Sequence, residues 1–280
     1  MVISSYQQTF EKVAERWVFS LEEDSVFKKA ASYALLNQGK RLRPSICLMV
    51  ADGLGSEDVS CAALAIELFH TASLIADDLP CMDDDAERRS KPTLHKAFNE
   101  PLALLTSYAF IAAGFECLAN QSLQKEPDAP VVKDAGKRGL LALKNVSYNT
   151  GFAGACGGQL MDLFPPDSSL ETLKEIIHKK TGVLFEIAFV LGWIFGGGAL
   201  ASLDRVKECA YHFGQAFQIQ DDIGDFEQDS QANKVANIAV LKGKELASVY
   251  LQEEIEKYQI CLKALGLDNS PLNSLLNSNV

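Results

Sequence analysis

The chain has 280 residues, 48% of them hydrophobic, with 26 basic against 37 acidic side chains and a formal net charge of −11. That composition is ordinary for a globular protein and long enough for one large core or two modest ones. The acidic balance excludes a general nucleic-acid binder, which needs a basic face to neutralise phosphates; an anionic substrate would have to be met through metal ions or local basic clusters.

In chain order, the opening stretch MVISSYQQTFEKVAERW shows neither the basic n-region nor the apolar h-region of a secretory signal. Apolar positions then recur at three- and four-residue spacing over 10–19, 26–36, 60–76, 102–119, 136–152, 171–195, 203–223 and 245–265, which predicts helices there. Strong punctuation separates them: GLGSED at 53–58, QKEPDAP at 124–130, FPPDSS at 164–169 and DNSPLNS near the C-terminus. No stretch alternates as a strand would, and no break is long enough for an interdomain linker. The prediction is one all-α domain over 1–280. The run GVLFEIAFVLGWIFGGGAL, 182–200, has the look of a membrane span, but Glu186 sits inside it and glycines 196–198 break it. It reads as a buried core helix, and no membrane span is expected. Seven cysteines, odd in number and without a C-x-x-C pair, read as reduced, mostly buried thiols, the pattern of a cytoplasmic protein.

Two elements carry chemistry. ASLIADDLPCMDDDAERRSKPTLH, 72–95, gathers Asp77, Asp78, Asp83, Asp84 and Asp85 within nine positions and follows them with arginines. GQAFQIQDDIGDFEQD, 214–229, places Asp221 and Asp225 four apart, on one face of a helix, with Asp222 beside them. Either cluster alone reads as a solvated surface. Two of them, each ending a strongly apolar helix, describe a hard-cation site: carboxylates without histidine or cysteine suit Mg²⁺, which keeps waters and shares itself with substrate phosphates. A calcium loop fits poorly, since DDLPCMDDDAER has no glycine. Phosphate is the matching partner, because GKRLRP packs Lys40, Arg41 and Arg43 into one short stretch and Arg88, Arg89, Lys180, Lys234 and Lys244 flank the acidic elements. No G-x-x-x-x-G-K-[ST] occurs, so a P-loop nucleotide site is excluded. His70 lies seven positions before Asp77, two helical turns back on nearly the same face.

With GKRLRP, AIELFHTASLIADDLPCMDDDAERRSKPTLH, GGQLMDL, KKTG and GQAFQIQDDIGD in that order, the sequence resembles the trans-isoprenyl diphosphate synthases (polyprenyl synthetase family) over about 33–250. The D-D-x-x-x-x-D spacing from Asp77 to Asp83 resembles the bacterial farnesyl and plant-type geranylgeranyl branches. The resemblance implies a bundle of long helices around a deep central cavity, usually homodimeric. It implies a Mg²⁺-dependent prenyltransferase, with about three ions per site and Mn²⁺ as an alternative. The substrates would be isopentenyl diphosphate and an allylic diphosphate (dimethylallyl, geranyl or farnesyl). By family motif, Asp77, Asp83 and Asp221 would ligate metal, with Asp78, Asp222 and Asp225 acting directly or through bound water. Arg88, Lys180, Thr181, Gln218 and Lys234 would hold the allylic diphosphate with Lys244 in support, and Lys40, Arg43, His70 and Arg89 the isopentenyl diphosphate. Of these, Asp77, Asp83, Asp221, Arg88 and Lys180 would carry the catalytic step.

Departures from the family pattern are Ala76 for a frequent histidine, Ser90 for the glycine of R-R-G, and Ser107-Tyr108 for Gly-Asp. Product length would be set below Asp77: Ser73 and Ala72 are small where farnesyl-type relatives carry an aromatic floor, which predicts a twenty-carbon product, geranylgeranyl diphosphate. Phe69 one turn deeper, or Tyr108 intruding from a neighbouring helix, would instead favour farnesyl diphosphate. A weakly active regulatory subunit and a terpene cyclase are the competing readings. The first usually loses an aspartate motif, and the second typically carries an Asn/Ser/Glu metal motif where this chain has Asp221-Asp222-Ile-Gly-Asp225.

Overall fold

The computed structural model describes residues 2–21, 25–37, 39–56, 58–123, 135–167, 169–231 and 237–276. Helices dominate them: α1 Val2–Ser20, α2 Val26–Leu35, α3 Leu42–Gly53, α4 Ser60–Asp77, α5 Leu94–Ala97, α6 Glu100–Leu123, α7 Ala135–Thr150 and α8 Ala155–Leu163. They continue with α9 Leu170–Ile177, α10 Val183–Phe195, α11 Leu203–Gly224, α12 Phe226–Gln231, α13 Ile238–Lys242 and α14 Lys244–Leu265. A two-stranded antiparallel ribbon, β1 Glu87–Arg88 and β2 Lys91–Pro92, sits between α4 and α5.

The all-α expectation holds; the helices α3, α5, α8, α12 and α13 and the ribbon lie outside the predicted stretches, and one predicted helix is divided. Helix α3 was not predicted because LRPSICLMVADG has no polar face to set a period: Leu42, Pro44, Ser45, Ile46, Cys47, Met49, Val50 and Ala51 are all buried. Helix α8 hides behind the glycines of ACGGQLMDL, which weaken any helical signal. The ribbon is two residues per strand, too short to alternate. The stretch 171–195 is not one helix, since the π turn His178–Gly182 divides α9 from α10.

Helix α10 is the hub. Nearly every residue from Val183 to Ile194 is buried, and the helix packs against α3, α4, α7 and α11. The glycines at 196–198 end it, and Arg138 caps its last carbonyls, donating to the oxygens of Ile194 (2.8 Å) and Gly198 (2.9 Å). The stretch 182–200 thus supplies only 13 residues of α-helix. By length and apolar content it is instead α4 and α6 that match a membrane span; 61% of the α4 window and 44% of the α6 window are buried within the chain. On α6 the apolar residues Leu104, Leu105, Tyr108 and Ile111 remain exposed, as do Leu140 and Leu143 on α7.

Candidate active site

Helix α4 ends on a carboxylate, although a helix C-terminus carries partial negative charge and disfavours one. Asp77 is therefore not placed there by helix energetics. The chain then folds back on that end: the Asp83 amide donates to the Asp77 carbonyl at 2.9 Å and the Asp84 amide to the Leu79 carbonyl at 3.2 Å. Burial, with Asp83 and Asp78 adding their charge against Lys180 and Arg88, pushes the Asp77 carboxyl up to about 6.

Asp78 has another role. It is 4% exposed, and Arg88 grips its Oδ1 with both Nε (2.7 Å) and Nη2 (2.5 Å). This bond anchors β1 to α4. At the ribbon tip Arg89 and Ser90 take φ of 54° and 60°, the pair of left-handed conformations that a tight hairpin turn requires and glycine or asparagine usually supplies. Thr93 closes the ribbon base, its Oγ1 donating to the Asp85 carbonyl at 2.8 Å.

The second acidic element repeats the division. Asp222 is 5% exposed; one oxygen accepts from Gln218 Nε2 (2.9 Å) and the other from the Ile238 amide (2.8 Å) at the start of α13. Asp229 is tied in as well, accepting from Asn237 Nδ2 at 3.1 Å. Asp221 and Asp225, like Asp77, accept from no protein donor among the described residues. Burial raises Asp221 against the opposing charges of Lys40 and Arg43. Both Asp222 oxygens thus already face protein donors, which favours the water-mediated form of its expected role over the direct one, and Gln218 is turned toward Asp222 rather than leaving its amide open.

The GGQLMDL segment delivers two residues that motif reading left without a role. Gly158 lies so close to the backbone of Lys179 and Lys180 that a Cβ would collide with it, and this lets α8 press against the π turn. Gln159 then donates to Asp83 (3.4 Å), and Asp162 accepts from Lys180 Nζ (2.5 Å). Lys180 and Thr181 both lie on the π turn, a local helix form frequent at functional sites.

Two cavities flank these groups. One, of about 460 Å³, is mostly apolar; it runs from Asp77 and Lys180 past Ala76, Ser73 and Ala72 to Phe69, with Ile111, Leu160 and Leu184 on its walls. Phe69 is backed edge-on by Phe115 at 5.1 Å. Ser107 lines this cavity and donates its Oγ to the Ala72 carbonyl (2.9 Å), but Tyr108 points outward at 59% exposure. Of the two alternative floors, Tyr108 is thus ruled out, while Phe69 does line the channel. On a helix the neighbour of an inward residue faces about 100° away.

The other cavity, of about 720 Å³, collects Lys40, Arg43, His70 and Arg89 with Glu67 and Phe217. Arg43 lies over the Phe185 ring (4.6 Å) and places Nη1 3.3 Å from His70 Nε2. Burial, together with Arg43 and Arg89, holds the His70 imidazole well below its ordinary range. A neutral ring accepting from Arg43 at Nε2 carries its proton on Nδ1. That Nδ1 and Arg43 Nε are buried without a protein partner, so two donors await an acceptor. Gly39 makes room for Arg89, whose guanidinium would collide with any Cβ there.

Lys244 is not brought into either cavity; it lies over the Phe226 ring at 4.6 Å. Lys234 lies outside the described residues. No group of three or more His, Cys, Asp or Glu side chains is arranged as a preformed metal cage among the described residues. The donor set nonetheless fits Mg²⁺: the oxygens of Asp77, Asp221 and Asp225, and of Asp83 beside its long bond from Gln159, are hard ligands, and an ion that arrives sharing phosphate and water needs only one or two carboxylates.

A family model described as Polyprenyl synthetase matches residues 24–251. The chain is similar to geranylgeranyl pyrophosphate synthase 11, chloroplastic, of Arabidopsis thaliana, at 38% identity over 80% of this chain and 63% of that protein. It therefore spans under two thirds of that relative's length. Among solved structures, a geranyltransferase from Legionella pneumophila matches with a TM-score of 0.83 and 27% identity, over 99% of this chain and 94% of that one. An FPP/GFPP synthase from Zymomonas mobilis matches at 0.80 and 30% identity, over 98% of each.

Proposed function

The chain belongs to the polyprenyl synthetase family, and from that premise we propose that it joins isopentenyl diphosphate head-to-tail to an allylic diphosphate, with geranylgeranyl diphosphate as product. The observation that carries the reading is the pairing of cavities. An apolar channel begins at an acidic mouth with Lys180, and a separate basic pocket holds Lys40, Arg43, His70 and Arg89.

In this reading the basic pocket binds isopentenyl diphosphate through its cationic side chains without metal, with the His70 Nδ1–H and Arg43 Nε–H donating to its oxygens. Lys180 and Thr181 meet the allylic diphosphate, and the apolar channel receives its tail and excludes water. Mg²⁺, which Asp77, Asp83, Asp221 and Asp225 would hold, supplies positive charge to the leaving diphosphate. Arg88 keeps the Asp78 end of the motif in place. The allylic C–O bond breaks with its electron pair leaving on diphosphate. The terminal double bond of isopentenyl diphosphate then attacks the allylic carbon, and a proton passes to the departed diphosphate. Metal identity and number, and the cytoplasm as the setting, are part of the proposal; seven free thiols support a reducing compartment. A second copy of the chain is proposed to cover the exposed apolar residues of α6 and α7.

Incubation with radiolabelled isopentenyl diphosphate, each allylic primer and Mg²⁺ tests the reading, with chain length read by chromatography. A twenty-carbon product is expected. A fifteen-carbon product would move the assignment to farnesyl diphosphate synthase. No incorporation without an added partner synthase would make the chain a regulatory subunit.

A further inference from the structure

Arg41 stands in the middle of GKRLRP at the wall of the basic cavity, yet it is only 4% exposed and its guanidinium is taken up by protein acceptors. Its Nε donates to Glu11 Oε1 (2.7 Å), Nη1 to Glu67 Oε1 (2.8 Å), and Nη2 to the carbonyls of Leu35 (2.6 Å) and Asn37 (2.8 Å). Four of its five N–H groups are thereby occupied. Its backbone takes φ 47°, a left-handed conformation that a non-glycine residue keeps only where its surroundings over-determine it. The residue before it is held too, since Gln7 Nε2 donates to the Lys40 carbonyl at 2.7 Å.

Glu67 belongs to α4, and the other two distant contacts, Gln7 and Glu11, come from α1. Gln7 and Glu11 are one turn apart on the same face, and that face runs into the stripe of Phe10, Val13, Ala14 and Val18 that is buried in the core. Tyr6 pins the same helix to α3 by donating to Asp52 Oδ2 (2.7 Å). Helix α1 precedes the span 24–251 that the family model matches.

We infer that Glu11 and Gln7 are positioning residues for the basic pocket, acting through Arg41 and Lys40 to fix the Lys40 and Arg43 side chains that bind diphosphate. The inference rests on the reading of that pocket as the isopentenyl diphosphate site. It predicts a sign opposite to simple electrostatics. Glu11 lines the pocket, so deleting its negative charge should tighten an anion if charge alone matters, and weaken it if geometry does.

The test is isopentenyl diphosphate binding to the full chain by titration calorimetry in EDTA, alongside KM for each substrate with Mg²⁺. Glu11→Ala should weaken isopentenyl diphosphate roughly tenfold in both measurements while kcat and the allylic KM hold. Glu11→Gln, which keeps an acceptor for Arg41 Nε, should recover most of the loss. Gln7→Ala, which leaves the ion pair intact, should weaken binding by roughly threefold and keeps the idea testable if Glu11→Ala fails to fold. Unchanged or tighter binding in a folded Glu11→Ala or Gln7→Ala protein overturns the inference, as does equal weakening of both substrates. A wild-type chain that neither binds nor incorporates isopentenyl diphosphate would overturn the reading of the pocket instead.

Discussion

The depth of the apolar channel makes a quantitative prediction. Ala72 lies five residues before Asp77 on α4 and Phe69 eight, so they sit about 7.5 Å and 12 Å below it along the axis. Ala72→Tyr moves the floor up by about 4.5 Å. One isoprene unit adds four chain carbons, about 5 Å of length for C–C bonds of ~1.5 Å, so the new floor removes room for one unit. The new ring has to enter the channel, because Ser107 binds the Ala72 carbonyl and closes α6 against that point. Five carbons left unburied forfeit ~4 kcal/mol at ~0.8 kcal/mol each, about a thousandfold in the rate of the last addition. The main product should shorten from twenty to fifteen carbons while KM for isopentenyl diphosphate stays put. Product chromatography with a farnesyl primer reads this directly. Unchanged chain length in an active variant would show that the floor lies elsewhere and refute the argument from Ala72.

Other expectations follow from the same geometry. Asp221→Ala should keep its fold and lose roughly 4 kcal/mol of transition-state stabilisation, about a thousandfold in turnover; near-wild-type activity would sink the metal assignment. Arg43→Ala should raise KM for isopentenyl diphosphate ten- to a hundredfold, about what a charged hydrogen bond contributes, and Lys180→Ala should act on the allylic substrate instead. Equal effects on one substrate would undo the division of the cations. Ser90→Gly relieves a left-handed serine at a cost in unfolded-chain entropy, for a net gain of about 0.5 kcal/mol and a rise of about 1 °C in Tm; a fall in Tm would contradict the turn assignment.

What the sequence made legible were features with a local signature. His70 could be placed near Asp77 because seven residues are two helical turns, and Ala72 could be placed in the channel because α4 runs unbroken to Asp77. Cations in GKRLRP, by contrast, looked equivalent. Arg41 became a strut and Arg43 a pocket residue only once Glu11 and Glu67 were brought in from 30 and 26 residues away. Gln159 and Asp162 were missed for the same reason: their partners, Asp83 and Lys180, lie on other elements. Helix α3 was missed because full burial erases periodicity.

The aspartate pairs show where stability and function separate. In each motif one carboxylate is locked into the fold, Asp78 by Arg88 and Asp222 by Gln218 and the Ile238 amide, while its neighbour, Asp77 or Asp221, is left partly buried without a donor. Substitutions at the two kinds of site should shift stability in opposite directions. Burial raises the Asp77 carboxyl from its ordinary 3.8 to about 6, so its ionised form is disfavoured in the folded state. A group raised on folding contributes stability below its unfolded value that is lost as pH rises through the folded one. In EDTA, Asp77→Asn should therefore raise Tm above pH 6 by several degrees, a gain of at most ~3 kcal/mol, and the gain should vanish toward pH 4. Asp222→Ala should instead lower stability by ~1–3 kcal/mol, since it orphans a buried amide at the start of α13. Melting curves of both variants at pH 4 and 7.5 decide the matter. A pH-independent gain for Asp77→Asn, or none, would mean that Asp77 is not an uncompensated charge, and the case for a cation completing the site would lose its energetic basis.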